Sequence, residues 1–257
     1  MTNAPAIYVK ITATRGSTPR AAGTAMAVTA TAAAGTIGGG ALEHWAIGRA
    51  REILDADAGD ESVTLALGPR LGQCCGGAVT LHFGKAPAPV DAIQTTARPY
   101  VTGGGPPASL WLWGAGHVGR AVVRACPAEA FDITWVDSAP DRFPETVPQH
   151  VTVVSAAQMD LLAARSPSDA HHLIFTYSHD IDLALCAALL RLTPASIGLI
   201  GSDSKWARFR SKLRAMGLDP TAIACPIGNK ALGKHPDQIA QGVVDVLLSR
   251  PARKALA

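Results

Sequence analysis

The sequence contains few charged residues, few aromatic residues and no long apolar run. Of its 257 residues, 17% are charged and 5% are aromatic, and the net charge is +3. A net charge this small, without a dense basic run, does not favour a nucleic-acid-binding surface. No window approaches the roughly 18 apolar residues of a membrane-spanning helix, and residues 1–14 lack the apolar stretch of a secretory signal. We therefore expect a cytoplasmic protein that binds neither nucleic acid nor a membrane.

The five cysteines follow no regular spacing, and an odd number does not fit a complete disulfide framework. This usage indicates a reducing compartment. Three of the cysteines lie far apart and are most simply core residues: Cys126, Cys186 and Cys225. The other two, Cys74 and Cys75, are adjacent. A trans peptide holds their Cα atoms about 3.8 Å apart, whereas a disulfide prefers about 4.4–6.8 Å, so the sequence predicts two thiols.

The paired cysteines stand in a glycine-rich turn, residues 71–77. Consecutive N–H groups in such a turn can form an anion-binding concavity, which also favours thiolate over thiol. We therefore predict a ligand site formed by Gln73, Cys74, Cys75 and Gly76. Two other interpretations remain open: one cysteine is buried packing and the other incidental, or the pair is a thiol redox sensor. Zinc is disfavoured because no second cysteine pair or spaced histidine pair accompanies the turn.

Proline and glycine are concentrated between residues 87 and 108, a composition typical of a linker. The linker divides the chain into an N-terminal domain, residues 1–86, and a C-terminal domain, residues 109–257. In the first domain, β-rich segments are predicted at 7–12, 24–29, 62–67 and 78–83, and a helix at 41–54. This pattern predicts a small α+β domain with a sheet that is antiparallel in part.

In the second domain, short apolar strands alternate with helices. The strands are predicted at 110–113, 133–137, 151–154, 172–176 and 197–200, and the longer helices at 182–192, 204–216 and 236–249. Such alternation favours a parallel sheet that helices cover on both faces. The sequence therefore predicts an α/β protein with a Rossmann-like C-terminal domain.

The first strand of the C-terminal domain runs into Gly114-x-Gly116-x-x-Gly119, and the second strand ends at Asp137. A strand, these glycines, a helix and a later carboxylate are the context that a dinucleotide-binding motif requires. The interpretation is that Gly114, Gly116, Gly119 and Asp137 bind a nucleotide or a phosphate. The alternative is a Rossmann-like domain that keeps its glycines for packing and binds no nucleotide.

A second glycine segment, Gly38-Gly39-Gly40, directly precedes the helix of the N-terminal domain, and Glu43 lies in the first turn of that helix. A helix N-terminus offers unpaired N–H groups and a positive dipole end to a phosphate. Taken singly, Glu43 and the loop residues Arg15 and Arg20 could equally be solvated charges. Together with the cysteine turn, they predict a pocket for a phosphate and a sulfur-bound group.

His179 follows the fourth strand of the C-terminal domain at its carboxyl end, where open α/β sheets bind ligands. It is a candidate acid–base group or hydrogen-bonding residue. The neighbouring Asp180 is more simply a helix cap. Lys205 and Lys234 lie in comparable loops and could contact an anion.

Several segments together resemble the family of xanthine dehydrogenase accessory proteins, which insert the molybdenum cofactor. The matching segments lie at 15–20, 35–43, 67–77, 114–120, 176–179, 198–202 and 225–228. The similarity extends over nearly the whole chain. The cysteine–glycine and triple-glycine segments are specific in combination, whereas the Rossmann glycines alone are not. Tyr177 departs from the family pattern, in which a histidine is expected.

The resemblance implies a protein that binds the molybdenum cofactor (molybdopterin) as cargo and has no turnover of its own. It implies that the cargo is sulfurated by a cysteine desulfurase and delivered to the molybdenum-binding subunit of xanthine dehydrogenase. It also implies a homodimer or a larger assembly. On this view glycine loops bind the cofactor's phosphate, and Cys74 or Cys75 is a candidate molybdenum contact, with the two domains closing on the pterin.

The main alternative is an NAD(P)-dependent oxidoreductase that uses the Rossmann-like domain. Such an enzyme requires a hydride-accepting substrate pocket and an acid, for which the sequence offers only His179. Fold and function are separate inferences. The sequence leaves open whether Gly114–Gly119 binds a nucleotide, the cofactor's phosphate or nothing.

Overall fold

The computed structural model describes residues 5–67, 77–90 and 106–249. The chain divides into two compact units, residues 1–94 (unit 1) and residues 95–257 (unit 2). Most of the predicted linker, residues 91–105, lies outside the described residues, and the proposed domain boundaries stay predictions. Within the described residues, no helix is both long and apolar enough to cross a membrane.

Unit 1 contains one five-stranded antiparallel sheet and one helix. The strands are β1 (Ile7–Arg15), β2 (Ala25–Val28), β3 (Ala33–Gly35), β4 (Glu61–Ala66) and β5 (Ala78–Gly84), in the order β3-β2-β1-β5-β4, and the helix is α1 (Gly40–Asp55). Each described pairing in this sheet is antiparallel. The predicted α+β architecture is therefore confirmed.

The core of unit 1 forms between one face of the sheet and one face of α1. In β1, the buried side chains of Ile7, Val9 and Ile11 alternate with more exposed ones and so share a face. In α1, buried residues such as Leu42 and Ala46 recur at helical spacing. All of these side chains belong to one hydrophobic cluster.

Unit 2 contains a six-stranded parallel sheet. Its strands are β6 (Ala108–Trp113), β7 (Phe131–Asp137), β8 (Val151–Ser155), β9 (His171–Ile174), β10 (Ser196–Leu199) and β11 (Ile223–Ala224), in the order β11-β10-β9-β6-β7-β8. Its helices are α2 (His117–Ala125), α3 (Met159–Leu162), α4 (His179–Leu192), α5 (Asp203–Ala215) and α6 (Pro236–Leu248). All five pairings are parallel, which confirms the predicted Rossmann-type α/β fold.

Both faces of this sheet are covered by helices, as the apolar strands predict. Strand β6 shows the division, because Leu110 and Leu112 pack with α2 and α6. Trp111 and Trp113 pack on the opposite face with residues of α4 and α5. The strand is buried on both sides and therefore reads as a continuous apolar run.

The strand order reverses beside β6. The chain passes from β6 to β7 and β8 in one direction, and β9 then pairs with the other side of β6. The loops that follow β6 and β9 diverge from this point, and open α/β sheets bind ligands in such a crevice. The glycine loop and the segment 175–179 therefore face the same part of unit 2.

Three elements were not expected from the sequence: β3, β11 and α3. They contain two to four residues, which is too short for a hydrophobic period to register. Helix α4 begins at His179 instead of residue 182, because Ser178 occupies the N-cap position. The prediction that Asp180 caps this helix is therefore wrong, since Asp180 lies within its first turn.

Candidate functional site

In unit 1, the triple-glycine segment forms a tight connection from β3 to α1. Gly38, Gly39 and Gly40 all have positive φ, a region that side-chain-bearing residues rarely adopt. A Cβ atom at Gly38 would lie 2.6 Å from the ring of Pro19. The segment therefore packs directly against the loop that follows β1. Gly39 is the N-cap of α1 and supplies no side-chain cap.

Glu43 is buried beneath the triple-glycine segment. Its Oε2 atom accepts hydrogen bonds from the Thr36 hydroxyl (2.6 Å), the Ile37 amide (2.9 Å) and the Gly39 amide (3.1 Å). The carboxylate thus occupies amide donors that a bound anion would otherwise use. The donors left for an anion are those of the first turn of α1, whose N–H groups have no intrahelical partner.

The loop 15–20 contacts a second predicted segment as well. A Cβ atom at Gly77 would clash with the backbone carbonyl oxygens of Arg15 and Ser17. Gly77 is the last residue of the cysteine turn, and it is buried. Three separate parts of the predicted pocket therefore meet in unit 1: the loop 15–20, the triple-glycine segment and the end of the cysteine turn. Arg15 itself is exposed at the end of β1.

The central residues of the predicted cysteine site are Gln73, Cys74, Cys75 and Gly76, and they lie outside the described residues. Their ligand-binding role, including the molybdenum contact predicted for Cys74 or Cys75, stays a prediction. Within residues 5–67, 77–90 and 106–249, no group of three or more His, Cys, Asp or Glu side chains is arranged to hold a metal ion.

In unit 2, two of the three motif glycines are required by the packing. Gly114 has φ +122°, and a Cβ atom there would lie 2.6 Å from the Phe175 carbonyl oxygen. A Cβ atom at Gly119 would clash with the Gly114 carbonyl oxygen. Gly116 is different, because it is exposed and a Cβ atom there would meet nothing within 4 Å. The packing interpretation therefore explains Gly114 and Gly119 but not Gly116.

The carboxylate of Asp137 is turned into the protein. Its Oδ2 atom accepts from the Ala115 amide at 2.6 Å, and its Oδ1 atom accepts from the Ser138 amide at 2.6 Å. Arg142 forms an ion pair with Oδ1 at 3.4 Å. Asp137 is 1% exposed. It therefore fixes the glycine loop, and its two oxygens already have protein partners at the position where a ribose hydroxyl would bind.

Arg142 links the loops after β7 and β9 across the crevice. Its guanidinium lies 4.0 Å from the centre of the Tyr177 ring, a cation–π contact. Its carbonyl oxygen accepts from Arg120, whose Nε donates to the Ala115 carbonyl oxygen. Burial lowers the pKa of Arg120, and the neighbouring Arg124 contributes to this shift. Tyr177, the residue that departs from the family pattern, thus covers a cation beside the glycine loop.

His179 is half-buried at the start of α4, and a buried ion pair holds the loop beside it. Asp182 Oδ2 accepts from Lys205 Nζ at 2.5 Å, while Asp182 Oδ1 accepts from both the amide and the hydroxyl of Thr176. Lys205 also donates to the Ile200 carbonyl oxygen. Desolvation, and then the charge of Lys205, lower the pKa of His179, so a neutral imidazole is favoured there.

The three dispersed cysteines behave as inert core or near-core residues. Cys126 and Cys186 are buried, and Cys225 is partly buried. Burial raises the pKa of Cys126 to about 12 and that of Cys225 to about 11, and it raises the pKa of Cys186 as well. Thiols with such pKa values are poor nucleophiles and poor metal ligands.

The structure therefore groups the predicted residues by unit. Unit 2 brings Gly114, Gly116, Gly119, Asp137 and His179 to the carboxyl ends of its strands, and unit 1 gathers Arg15, Gly38, Gly39, Gly40 and Glu43. Sequence reasoning missed Arg142 and Thr36, because their contacts depend on loop conformation. It also gave no role to Asp182, the fourth residue of α4, whose carboxylate bonds the amide and hydroxyl of Thr176 in the preceding loop.

These features define a two-unit α/β protein whose second unit is a Rossmann-type domain. The family model of the XdhC Rossmann domain matches residues 110–245, more than half of the chain. The model of the XdhC and CoxI family matches residues 2–65. The chain therefore belongs to the XdhC family.

The curated proteins include a similar but longer relative, the uncharacterized protein YqeB of Escherichia coli (strain K12). It is 25% identical over 261 residues, which cover 96% of this chain and 43% of the relative. The chain thus spans less than half the length of that protein.

Among solved structures, a crystal structure described as a xanthine dehydrogenase from Bacillus halodurans matches with a TM-score of 0.51 and 17% identity. The match covers 100% of this chain and 95% of that one. At this identity the likeness concerns the fold alone.

Proposed function

We propose that this chain is an accessory protein of xanthine dehydrogenase that carries the molybdenum cofactor as cargo and has no turnover of its own. Membership of the XdhC family supports the accessory role. The observation that best supports a cargo site is in unit 1, where the loop 15–20 contacts both the triple-glycine segment and Gly77. The pairing of β1 with β5, in which Arg15 lies opposite Ala78, brings the end of the cysteine turn to this loop.

The donors of unit 1 fit the phosphate of such a cargo. Gly38 and Gly40 are exposed and have no side chain, so a ligand can approach the backbone closely. The first turn of α1 supplies N–H groups and a positive dipole end. Glu43 keeps the loop in this conformation because its carboxylate bonds the amides of Ile37 and Gly39.

Soft thiolate ligands suit the sulfur-rich molybdenum end of the cargo. We propose that Cys74 or Cys75 contacts the molybdenum, with Gln73 and Gly76 beside it. A carrier must bind firmly enough to protect its cargo and weakly enough to release it. Two adjacent thiols without a complete ligand cage would meet both requirements.

We test this with Cys74→Ser and Cys75→Ser, each purified from a molybdate-replete host. We expect that at least one variant retains much less molybdenum and pterin, and activates cofactor-free xanthine dehydrogenase correspondingly less. Metal analysis, fluorescence of the oxidised pterin and dehydrogenase activity are the measurements. Cys225→Ser is the matched control, because this thiol lies in unit 2 and its raised pKa makes it a poor ligand. Full loading and activation by both test variants would contradict the thiol contact.

The partners follow from the same proposal. A carrier of this cargo has to meet the molybdenum-binding subunit of xanthine dehydrogenase, and a cysteine desulfurase if the cargo is sulfurated while it is bound. We also propose a homodimer or larger assembly in the cytoplasm. Co-purification and native mass measurement address these points directly.

A nucleotide in unit 2 is the second candidate ligand. The observation in its favour is Gly116, whose exposed position needs no glycine for packing and leaves open space above the loop. Asp137 is engaged internally by Ser138 and Arg142 at the ribose position, so a nucleotide would have to share these two partners with the carboxylate. Such a ligand would be compatible with either a carrier or an NAD(P)-dependent oxidoreductase, with His179 as the nearby acid–base group.

A further inference from the structure

Helix α5 carries an unusual concentration of positive charge. It contains five basic residues and one acidic residue, Asp203, so its formal net charge is +4. The whole chain has a net charge of +3. The remaining residues together are therefore slightly acidic, and α5 is the main basic element of the molecule. Neutral residues separate most of these cations, which is why the sequence shows no dense basic run.

Four of the five cations face solvent. Lys205 is buried in its ion pair with Asp182, whereas Arg208, Arg210, Lys212 and Arg214 are exposed. At 3.6 residues per turn, Arg208 and Lys212 form one row and Arg210 and Arg214 form another, each with a spacing of four residues. The residues between the two rows are small and exposed: Ser204, Ala207, Ser211 and Ala215.

The hydrophobic contacts of α5 are made by the opposite face of the helix. The helix is anchored by its buried residues Phe209 and Leu213. Its single acidic residue, Asp203, pairs outside the helix with Lys230 at 2.7 Å. Lys212 and Arg214 stand in the last turn of α5, where cations interact favourably with the helix dipole. The helix dipole thus favours cations at the C-terminal end of the two rows, and the exposure of these side chains leaves their charges accessible to a partner.

The shape between the rows indicates the kind of partner. Small side chains let the backbone of a second helix approach closely, while the flanking cations can reach carboxylates on both sides of it. Single-stranded nucleic acid is recognised with exposed aromatic platforms. The aromatic residue of α5 beside these rows, Trp206, is partly buried and lies under Arg210 at 5.8 Å. An acidic protein helix fits the described surface better.

We propose that the exposed face of α5 is a docking surface for an acidic helical segment of a partner protein. The two cation rows attract and orient the segment, and the small residues between them form the contact. The inference rests on the proposed function only in naming the molybdenum-binding subunit of xanthine dehydrogenase as its first probe. The electrostatic part of such contacts acts mainly on association rate and selectivity.

The test compares the full-length chain with the double variant R210E/R214E. At low salt, we expect the association rate constant of the variant with the subunit to be lower than that of the wild type by a factor of about ten or more. The difference should shrink as the salt concentration rises. The matched control is K10E/R191E, which changes the net charge equally on exposed residues of β1 and α4. Thermal denaturation confirms that both variants are folded. Equal slowing by both double variants, or by neither, would overturn the proposal.

A second probe separates this proposal from the proposed function. If the wild-type chain does not bind the subunit at all, the accessory role fails. The α5 surface is then judged by a labelled, glutamate-rich helical peptide alone. Loss of peptide binding in R210E/R214E but not in K10E/R191E supports the surface, and equal binding overturns it. Tighter binding of a DNA duplex of about 20 base pairs, roughly two helical turns, than of the peptide also overturns it, in favour of nucleic acid.

Discussion

Each unit has a glycine-rich loop before a helix, and in each a buried carboxylate accepts hydrogen bonds from that loop. The two carboxylates come from different positions in the chain. In unit 1, a glycine segment leads into α1 and Glu43 accepts from the amides of Ile37 and Gly39. In unit 2, a glycine loop leads into α2 and Asp137 accepts from the Ala115 amide. Each carboxylate is buried and holds a loop that would otherwise have unpaired donors. Both acids were predicted as ligand-binding residues, and both bond the protein itself.

The difference lies in sequence separation. Glu43 stands on the helix that its loop begins, four residues from Gly39, so the contact is local. Asp137 comes from the next strand of the sheet, 22 residues from Ala115, so the contact exists only once the sheet has formed. A carboxylate close in sequence stabilises its loop through a local contact. A remote one couples the loop to the register of two strands.

The largest expected effect is that of Glu43→Ala. Three donors lose their common acceptor: the buried Thr36 Oγ1 and Ile37 amide, and the partly buried Gly39 amide. At roughly 1–3 kcal/mol per orphaned donor, with partial relaxation, we expect unit 1 to lose about 4 kcal/mol of unfolding free energy. Hydrogen exchange measured by mass spectrometry reports the opening of each unit within the full chain.

Glu52→Ala is the control for this variant, because Glu52 lies on the same helix with an exposed side chain and a surface ion pair to Arg49. Exposed pairs contribute about 0–1 kcal/mol. Similar losses for the two variants would show that Glu43 does not hold the loop, and the comparison between the units would fail.

A smaller effect concerns acid sensitivity in unit 2. His172 is fully buried, its Nδ1 accepts from Trp113, and burial lowers its pKa from 6.5 to about 4. The unfolded chain therefore takes up a proton before the native one does. Stability from this group is complete above pH 6.5, and about 3 kcal/mol is lost as the pH falls to about 4.

Urea denaturation of His172→Phe across this pH range provides the measurement. Replacement leaves Trp113 without its acceptor, which lowers stability by the same amount at every pH. We expect the additional slope of the wild-type chain between pH 6.5 and 4 to disappear. An unchanged slope would assign the acid sensitivity to other groups.

The smallest effect distinguishes two glycines of one loop. Gly114→Ala places a Cβ against the Phe175 carbonyl oxygen at positive φ, and we expect unit 2 to lose about 2 kcal/mol. Gly116→Ala meets nothing within 4 Å and should change the unfolding free energy by less than about 0.5 kcal/mol. A Gly114→Ala variant as stable as the wild type would contradict the packing role of Gly114.

If a nucleotide binds at this loop, we expect Gly116→Val to weaken binding of NADPH or pyrophosphate without unfolding unit 2. Unaltered binding by Gly116→Val would place the ligand elsewhere.

Much of the fold could be predicted because its information is local and periodic. The alternation in β1, the helical stripe of α1 and the apolar strands of unit 2 each show in a window of a few residues. The strand order was not predicted, because the sequence of β9 contains no local pattern that indicates its pairing with β6. The edge strands β3 and β11 were missed because they contain only two or three residues.

The site was predicted by residue type better than by role. Glycines at 38–40 and 114–119 were recognised because backbone geometry restricts such positions to glycine. The roles of Glu43 and Asp137 depend on which way a carboxylate turns, and the sequence does not encode that in any local pattern. For the same reason Arg142 was overlooked, because its contact with Tyr177 joins loops from two strands.

The buried charge of Asp182 limits how this chain can change over generations. Many buried ion pairs can be exchanged for two hydrocarbon side chains of similar volume without loss of stability. Here, exchanging Asp182 and Lys205 together would still strand the main-chain amide of Thr176, which bonds the other carboxylate oxygen. Only proline lacks that amide. A substitution at Lys205 therefore cannot make Asp182 replaceable. The Thr176 amide still needs the carboxylate as its acceptor, and mutation of Thr176 to any residue but proline keeps that amide.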